Sequence, residues 1–218
     1  MIRVAILDLG GTLVDDAHPF PHVPEALSAL ARIKLPGASP PSRLTLLLVS
    51  DFTMPEAPVT KAKTAALVKE YVALLEGFGL RPFFMPISKR ITLSTQVGVL
   101  KPDRRIYEAA LERSATGATL DECVSISEDA AHLAVCRQLG MATLRFGEDF
   151  TDWSAAPNLV RNLVAAGAAS DEAEERLFGR SLDAHGQVGP PGRSLASGVT
   201  HVRDAVGDEL VRKRYSAI

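Results

Sequence analysis

The sequence predicts an α/β protein: a Rossmann-like three-layer α/β/α sandwich around a mainly parallel sheet. Two observations lead there. Apolar runs of strand length recur at 4–9, 44–49, 81–87, 91–94, 123–127 and 142–146, each bounded by turn residues or charges. Between them the apolar residues repeat with helical spacing. Strands alternating with helices of this length imply right-handed crossovers, hence parallel pairing with both faces of the sheet covered.

The elements follow in order. The run at 4–9 stops at Asp8 and the Gly10-Gly11 pair. Val23, Ala26, Leu27, Leu30 and Ile33 then share one helical face, and Thr64, Val68, Tyr71, Leu75 and Phe78 share another beyond the 44–49 strand. Tyr107, Ala110 and Leu111 mark a third helix, and residues 133–139 a fourth. Residues 1–149 read as the core domain and 150–218 as a C-terminal extension. In that extension helices are expected at 158–166 and 170–178, a Pro/Gly-rich linker at 186–198, and a hairpin in 200–218 carrying the basic patch Arg212-Lys213-Arg214.

Composition narrows the function classes. A chain of 218 residues that is 46% hydrophobic is long enough to bury one sizeable core. The formal net charge of −2 supplies no basic field, so neither nucleic acid nor an acidic membrane surface is an expected partner. Cys123 and Cys136 are the only cysteines, in no metal-ligand spacing, and read as small buried hydrophobes in a reducing compartment. The apolar opening is too short for a signal peptide, and no segment approaches the roughly 20 apolar residues of a membrane span. The expectation is a cytoplasmic protein.

In parallel α/β sheets the chemistry gathers at the carboxyl ends of strands. The polar residues that directly follow apolar runs are Asp8, Ser50 with Asp51, and Ser127 with Glu128 and Asp129. Asp8 is followed by Leu9-Gly10-Gly11-Thr12-Leu13. Glycines let backbone amides approach an anion, and a carboxylate at such a turn can attack the anion or hold a cation.

That segment resembles the first motif of the haloacid dehalogenase-like superfamily, Asp-x-Asp-Gly-Thr-Leu, with Asp8 in the nucleophile position and Gly10 replacing the second aspartate. Ser50 in Leu47-Leu48-Val49-Ser50-Asp51 matches the second motif, and Gly98-Val99-Leu100-Lys101-Pro102-Asp103 is similar to the third. The fourth, Gly-Asp-x-x-x-Asp, has its spacing kept by Ser127-Glu128-Asp129-Ala130-Ala131-His132. The matches run in family order from residue 2 to 146.

The resemblance implies a phosphatase that forms an aspartyl phosphate on Asp8, with Lys101 neutralising charge. Ser50, Asp51, Gly11 and Thr12 would line the phosphoryl group. Mg²⁺ would be held by Asp8, the Gly10 carbonyl and Glu128, with Asp129 and His132 outside the ligand set. Loss of the acid at Gly10 predicts slow turnover of substrates with poor leaving groups. The caps with which the family covers its sites are nearly missing, which favours a large phosphorylated substrate unless the extension, a second subunit or a protein partner covers the site. A fold retained for binding or regulation without turnover is the alternative reading. Dehalogenase-type hydrolysis ranks behind both, because it goes with a helical cap.

Overall fold

The computed structural model describes residues 1–37 and 42–169. Strand β1 (Val4–Leu7) consists of four apolar residues, all buried. That is the pattern of a strand covered on both faces. Helix α1 (Val23–Leu30) follows, with a proline in its first turn, where a missing N–H costs nothing. Strand β2 (Thr45–Ser50) leads through the loop 51–60 into helix α2 (Lys61–Gly77), whose first turn is capped by the Thr60 side chain accepting from the Lys63 amide.

Strand β3 (Ile91–Leu93) is preceded by a short helical turn, α3 (Ile87–Arg90), and followed by another, α4 (Ser94–Val97). Then come α5 (Arg104–Ser114), β4 (Cys123–Ser127), α6 (Ala130–Gln138) and β5 (Ala142–Arg145). A last helix, α7, occupies residues 156–169 of the described chain.

The five strands form one all-parallel sheet in the order β3-β2-β1-β4-β5. The predicted Rossmann-like α/β fold is therefore present. Side chains alternate across the sheet. Ala5, Leu7, Leu46 and Leu48 face a core shared with α1, α2, Trp153 and α7. Val4, Ile6, Leu47 and Val49 face a second core with Ile106, Tyr107, Ala110 and Leu111 of α5 and Cys136 of α6. Both cysteines are fully buried.

Two sequence expectations are corrected or extended. The apolar run 81–87 is not a strand: Arg81–Phe84 forms a 3-10 turn and Ile87 begins α3. Pro82 and Pro86 remove the N–H donors that a central ladder needs, and the run instead buries Phe84 in the core shared with β1 and β2. The helix expected at 158–166 spans 156–169. Phe150, Trp153, Ala156, Val160 and Val164 belong to the same core as β1 and β2, so that core crosses the 149/150 division drawn on sequence. The helix expected at 170–178, the linker and the hairpin lie outside the described residues. Among the described residues no helix is long and apolar enough to cross a membrane.

Candidate active site

Parallel register lines up the strand ends. Leu7 pairs with Leu48 of β2 and with Ile126 of β4, so the next polar residues of all three strands emerge along one edge. β1 is central, and the chain builds outward from it first towards β3 and then, from β4, in the opposite direction. Asp8 thus sits at the topological switch point, where open α/β sheets leave a crevice.

The Asp8 carboxylate is held from several sides. Its Oδ1 accepts the Leu9 amide at 2.8 Å, and its Oδ2 accepts the Ser127 hydroxyl at 3.2 Å. Lys101 Nζ lies 2.5 Å from Oδ2, with the two side chains only 7% and 12% exposed, lysine first. Burial works against the lysine's charge, but the attraction of Asp8, supplemented by Asp51 and Glu128, outweighs it and raises the ammonium's pKa. This is a shielded carboxylate–ammonium pair, stronger than an exposed one because water does not screen it.

Lys101 is placed by its own backbone. Its amide donates to Asp51 Oδ1 at 2.9 Å, and burial lifts the Asp51 pKa despite that bond. Ser94 holds the same loop by donating to the Phe52 carbonyl and accepting its amide, and Thr95 donates to the Thr53 carbonyl. Asp51 therefore positions Lys101. Ser50 is nearly buried at the end of β2, with a long contact of 3.4 Å from its hydroxyl to the Asp51 carbonyl.

Glu128 is locked against the loop after β1. Its Oε2 accepts the Thr12 hydroxyl at 2.5 Å and lies 3.2 Å from the Ser127 hydroxyl, whose single proton it shares with Asp8, while its amide donates back to Thr12 Oγ1 at 3.0 Å. Gly11 has φ of +70°, and a Cβ there would stand 2.9 Å from the Glu128 carboxyl carbon. Glycine is needed at this position twice over, for its backbone and for the space. Thr12, expected to line a phosphoryl group, is fully buried and its hydroxyl is committed to Glu128.

Asp129 turns away to cap α6, accepting the Ala131 and His132 amides. Burial opposes its charge, yet the His132 amide and imidazole hold its pKa below the usual carboxylate value. His132 Nδ1 is buried without a hydrogen-bond partner among the described residues, 3.6 Å from Asp129 Oδ2. It lines a small cavity of about 10 Å³ together with Asp8, Lys101, Tyr107 and Ser127.

The structure thus brings Asp8, Lys101, Asp51, Glu128 and Thr12 into one hydrogen-bonded cluster. Two participants were not foreseen in these roles. Ser127, visible in the sequence as a strand-end residue, bridges Asp8 and Glu128. Trp153 donates its indole N–H to the Thr12 carbonyl at 2.8 Å, and no sequence motif marks it.

Among the described residues no group of three or more His, Cys, Asp or Glu side chains converges on a point that could hold a metal ion. What the cluster offers a cation is two carboxylates, Asp8 and Glu128, and the Gly10 carbonyl, which accepts no hydrogen bond among the described residues. Magnesium is commonly bound by one or two carboxylates plus water and substrate oxygens. This donor set fits such an ion.

No protein-family model matches the sequence, and no curated protein matches it. A solved structure, an uncharacterised protein from Corynebacterium glutamicum ATCC 13032 Kitasato, is similar with a TM-score of 0.47 and 17% identity, covering 76% of this chain and 96% of that one.

Proposed function

We propose that this chain is a haloacid dehalogenase-like phosphatase that transfers a phosphoryl group to Asp8. The observation that carries the reading is the shielded Asp8–Lys101 pair at the switch point of the sheet. An ionised carboxylate beside a buried ammonium is what a nucleophile attacking an anionic phosphate requires, because the cation offsets the charge that gathers in the transition state.

In this mechanism an Asp8 oxygen attacks phosphorus and the bond to the leaving oxygen breaks, that oxygen keeping the electron pair. Water then attacks the phosphorus of the aspartyl phosphate, inorganic phosphate leaves, and the Asp8 carboxylate is restored. Lys101 compensates charge on Asp8 and on the phosphoryl oxygens. Ser50 lies within the same strand-end edge as a hydrogen-bond donor. Asp8, Glu128 and the Gly10 carbonyl would hold Mg²⁺, which supplies further positive charge at the phosphoryl oxygens when bound.

Gly10 carries no side chain to protonate the leaving oxygen, a contribution of roughly 10² to 10⁴ in rate where it is present. The substrates that suit this site are therefore phosphate esters or anhydrides whose leaving groups depart as stable anions. The loops 8–22 and 51–60 hold no helix that could cap the edge, which suits a large phosphorylated substrate. The test is hydrolysis of an activated aryl phosphate with and without Mg²⁺. Metal-dependent turnover that disappears in Asp8→Asn supports the reading. A folded native protein no faster than Asp8→Asn overturns it.

The same Gly10 favours a second reading, a protein that kept the fold to bind a phosphorylated partner without turning it over. Phosphate binding without hydrolysis of the aryl ester selects it.

A further inference from the structure

We infer that Trp153 is a positioning residue of this site, acting on Glu128 through Thr12. The inference rests on the proposed phosphatase reading and its metal site. Trp153 lies beyond every motif that marks the site, on the short turn Trp153–Ala155 that leads into α7. It is fully buried against Phe146 and Phe150, with ring centroids at 6.0 and 5.3 Å. Apolar burial alone calls for no hydrogen-bond donor. A buried indole N–H needs an acceptor, and the one it has is the carbonyl of Thr12, which accepts from no other group among the described residues.

Thr12 is the residue that fixes Glu128. Its hydroxyl donates to the carboxylate and accepts the amide of the same residue, and the carboxylate fills the space left open at Gly11. Glutamate is one methylene longer than aspartate, so its carboxylate reaches a useful place only if something takes up the extra length. The slot between Gly11 and Thr12 does so. The loop that forms the slot is held by Trp153 through the Thr12 carbonyl, and Ser127, within reach of both carboxylates, links Glu128 to Asp8. The order of influence is Trp153, Thr12, Glu128, and then whatever cation Asp8 and Glu128 share.

The test uses the full chain. Trp153→Phe keeps an aromatic ring and removes the donor together with part of the ring's volume, and Thr12→Val keeps shape and carbonyl while removing the hydroxyl alone. Mg²⁺ binding is measured by calorimetry on both variants and the native protein, with circular dichroism confirming the fold. Trp153 is the chain's single tryptophan, so native fluorescence reports directly on the Thr12 loop. The expected results are a change in native emission on adding Mg²⁺ and affinity weakened about tenfold in each folded variant, the scale set by residues that orient metal ligands. Native affinity in either folded variant overturns the inference while leaving the phosphatase reading intact. A native protein that binds no Mg²⁺ removes the metal site, and the inference with it.

Discussion

At Gly11 an added methyl group would stand 2.9 Å from Cδ and Oε1 of Glu128, on backbone with φ of +70°. Gly11→Ala is therefore expected to lower unfolding free energy by about 1–3 kcal/mol. Urea denaturation reads this directly, and an unchanged midpoint would contradict both the strained backbone and the close Glu128 contact at Gly11. Its neighbour behaves differently. Gly10 is not among the glycines with positive φ, so its backbone can carry a side chain without that strain. Gly10→Asp supplies the missing proton donor and is expected to raise hydrolysis of alkyl phosphates by roughly 10² to 10⁴. The gain on aryl phosphates should be much smaller. Equal gains on both would show that the glycine's cost lies somewhere other than leaving-group protonation.

At the scale of elements, α6 begins on Asp129, whose carboxylate accepts the Ala131 and His132 amides. Asp129→Ala should cost about 1 kcal/mol of stability, as loss of an N-cap does, measured by denaturant unfolding at neutral pH. Because the folded-state pKa of Asp129 is lowered, its contribution is present above the unfolded value and fades as pH falls through the folded one. The difference between native protein and variant should therefore shrink in acid. Motif spacing separates Glu128, expected to face a cation, from Asp129, expected outside the ligand set, but it gives no sign that Asp129 caps a helix. The Thr12 and Gly11 contacts show what holds Glu128, and the Ala131 and His132 amides show what occupies Asp129. The strands and their polar ends were legible because apolar runs buried on both faces need no partner information to be recognised. The run 81–87 misled because its composition is strand-like while Pro82 and Pro86 deny it a ladder. The place of Trp153 was illegible because its partner, a backbone carbonyl, leaves no trace in side-chain pattern.

For the whole molecule, the second core responds to alkaline pH. Burial pushes the Cys123 thiol from 9.0 up to about 12. Burial first, and then the neighbouring Cys136, also raises the Tyr107 phenol. Both groups hold their protons more tightly folded than unfolded, so their contribution is intact below the unfolded pKa and is lost as pH rises through the folded one. Stability should fall by about 1.4 kcal/mol per pH unit for each such proton once pH passes that group's own unfolded value, the thiol's first and the phenol's after it. Cys123→Ala should flatten the first part of that decline, and a native stability curve level from pH 9.0 to about 12 would contradict the burial of this thiol. The site, by contrast, depends on the sheet, since parallel register brings residues from β1, β2 and β4 to one edge and Asp51 at the end of β2 then fixes Lys101 there. What that edge does is tested most directly by quenching the protein in acid during turnover of an activated aryl phosphate with Mg²⁺ and locating the phosphoryl group by mass spectrometry. The account predicts a phosphoryl group on Asp8, absent from Asp8→Asn. Turnover with no phosphoryl group on Asp8, or with one on another residue, would contradict it.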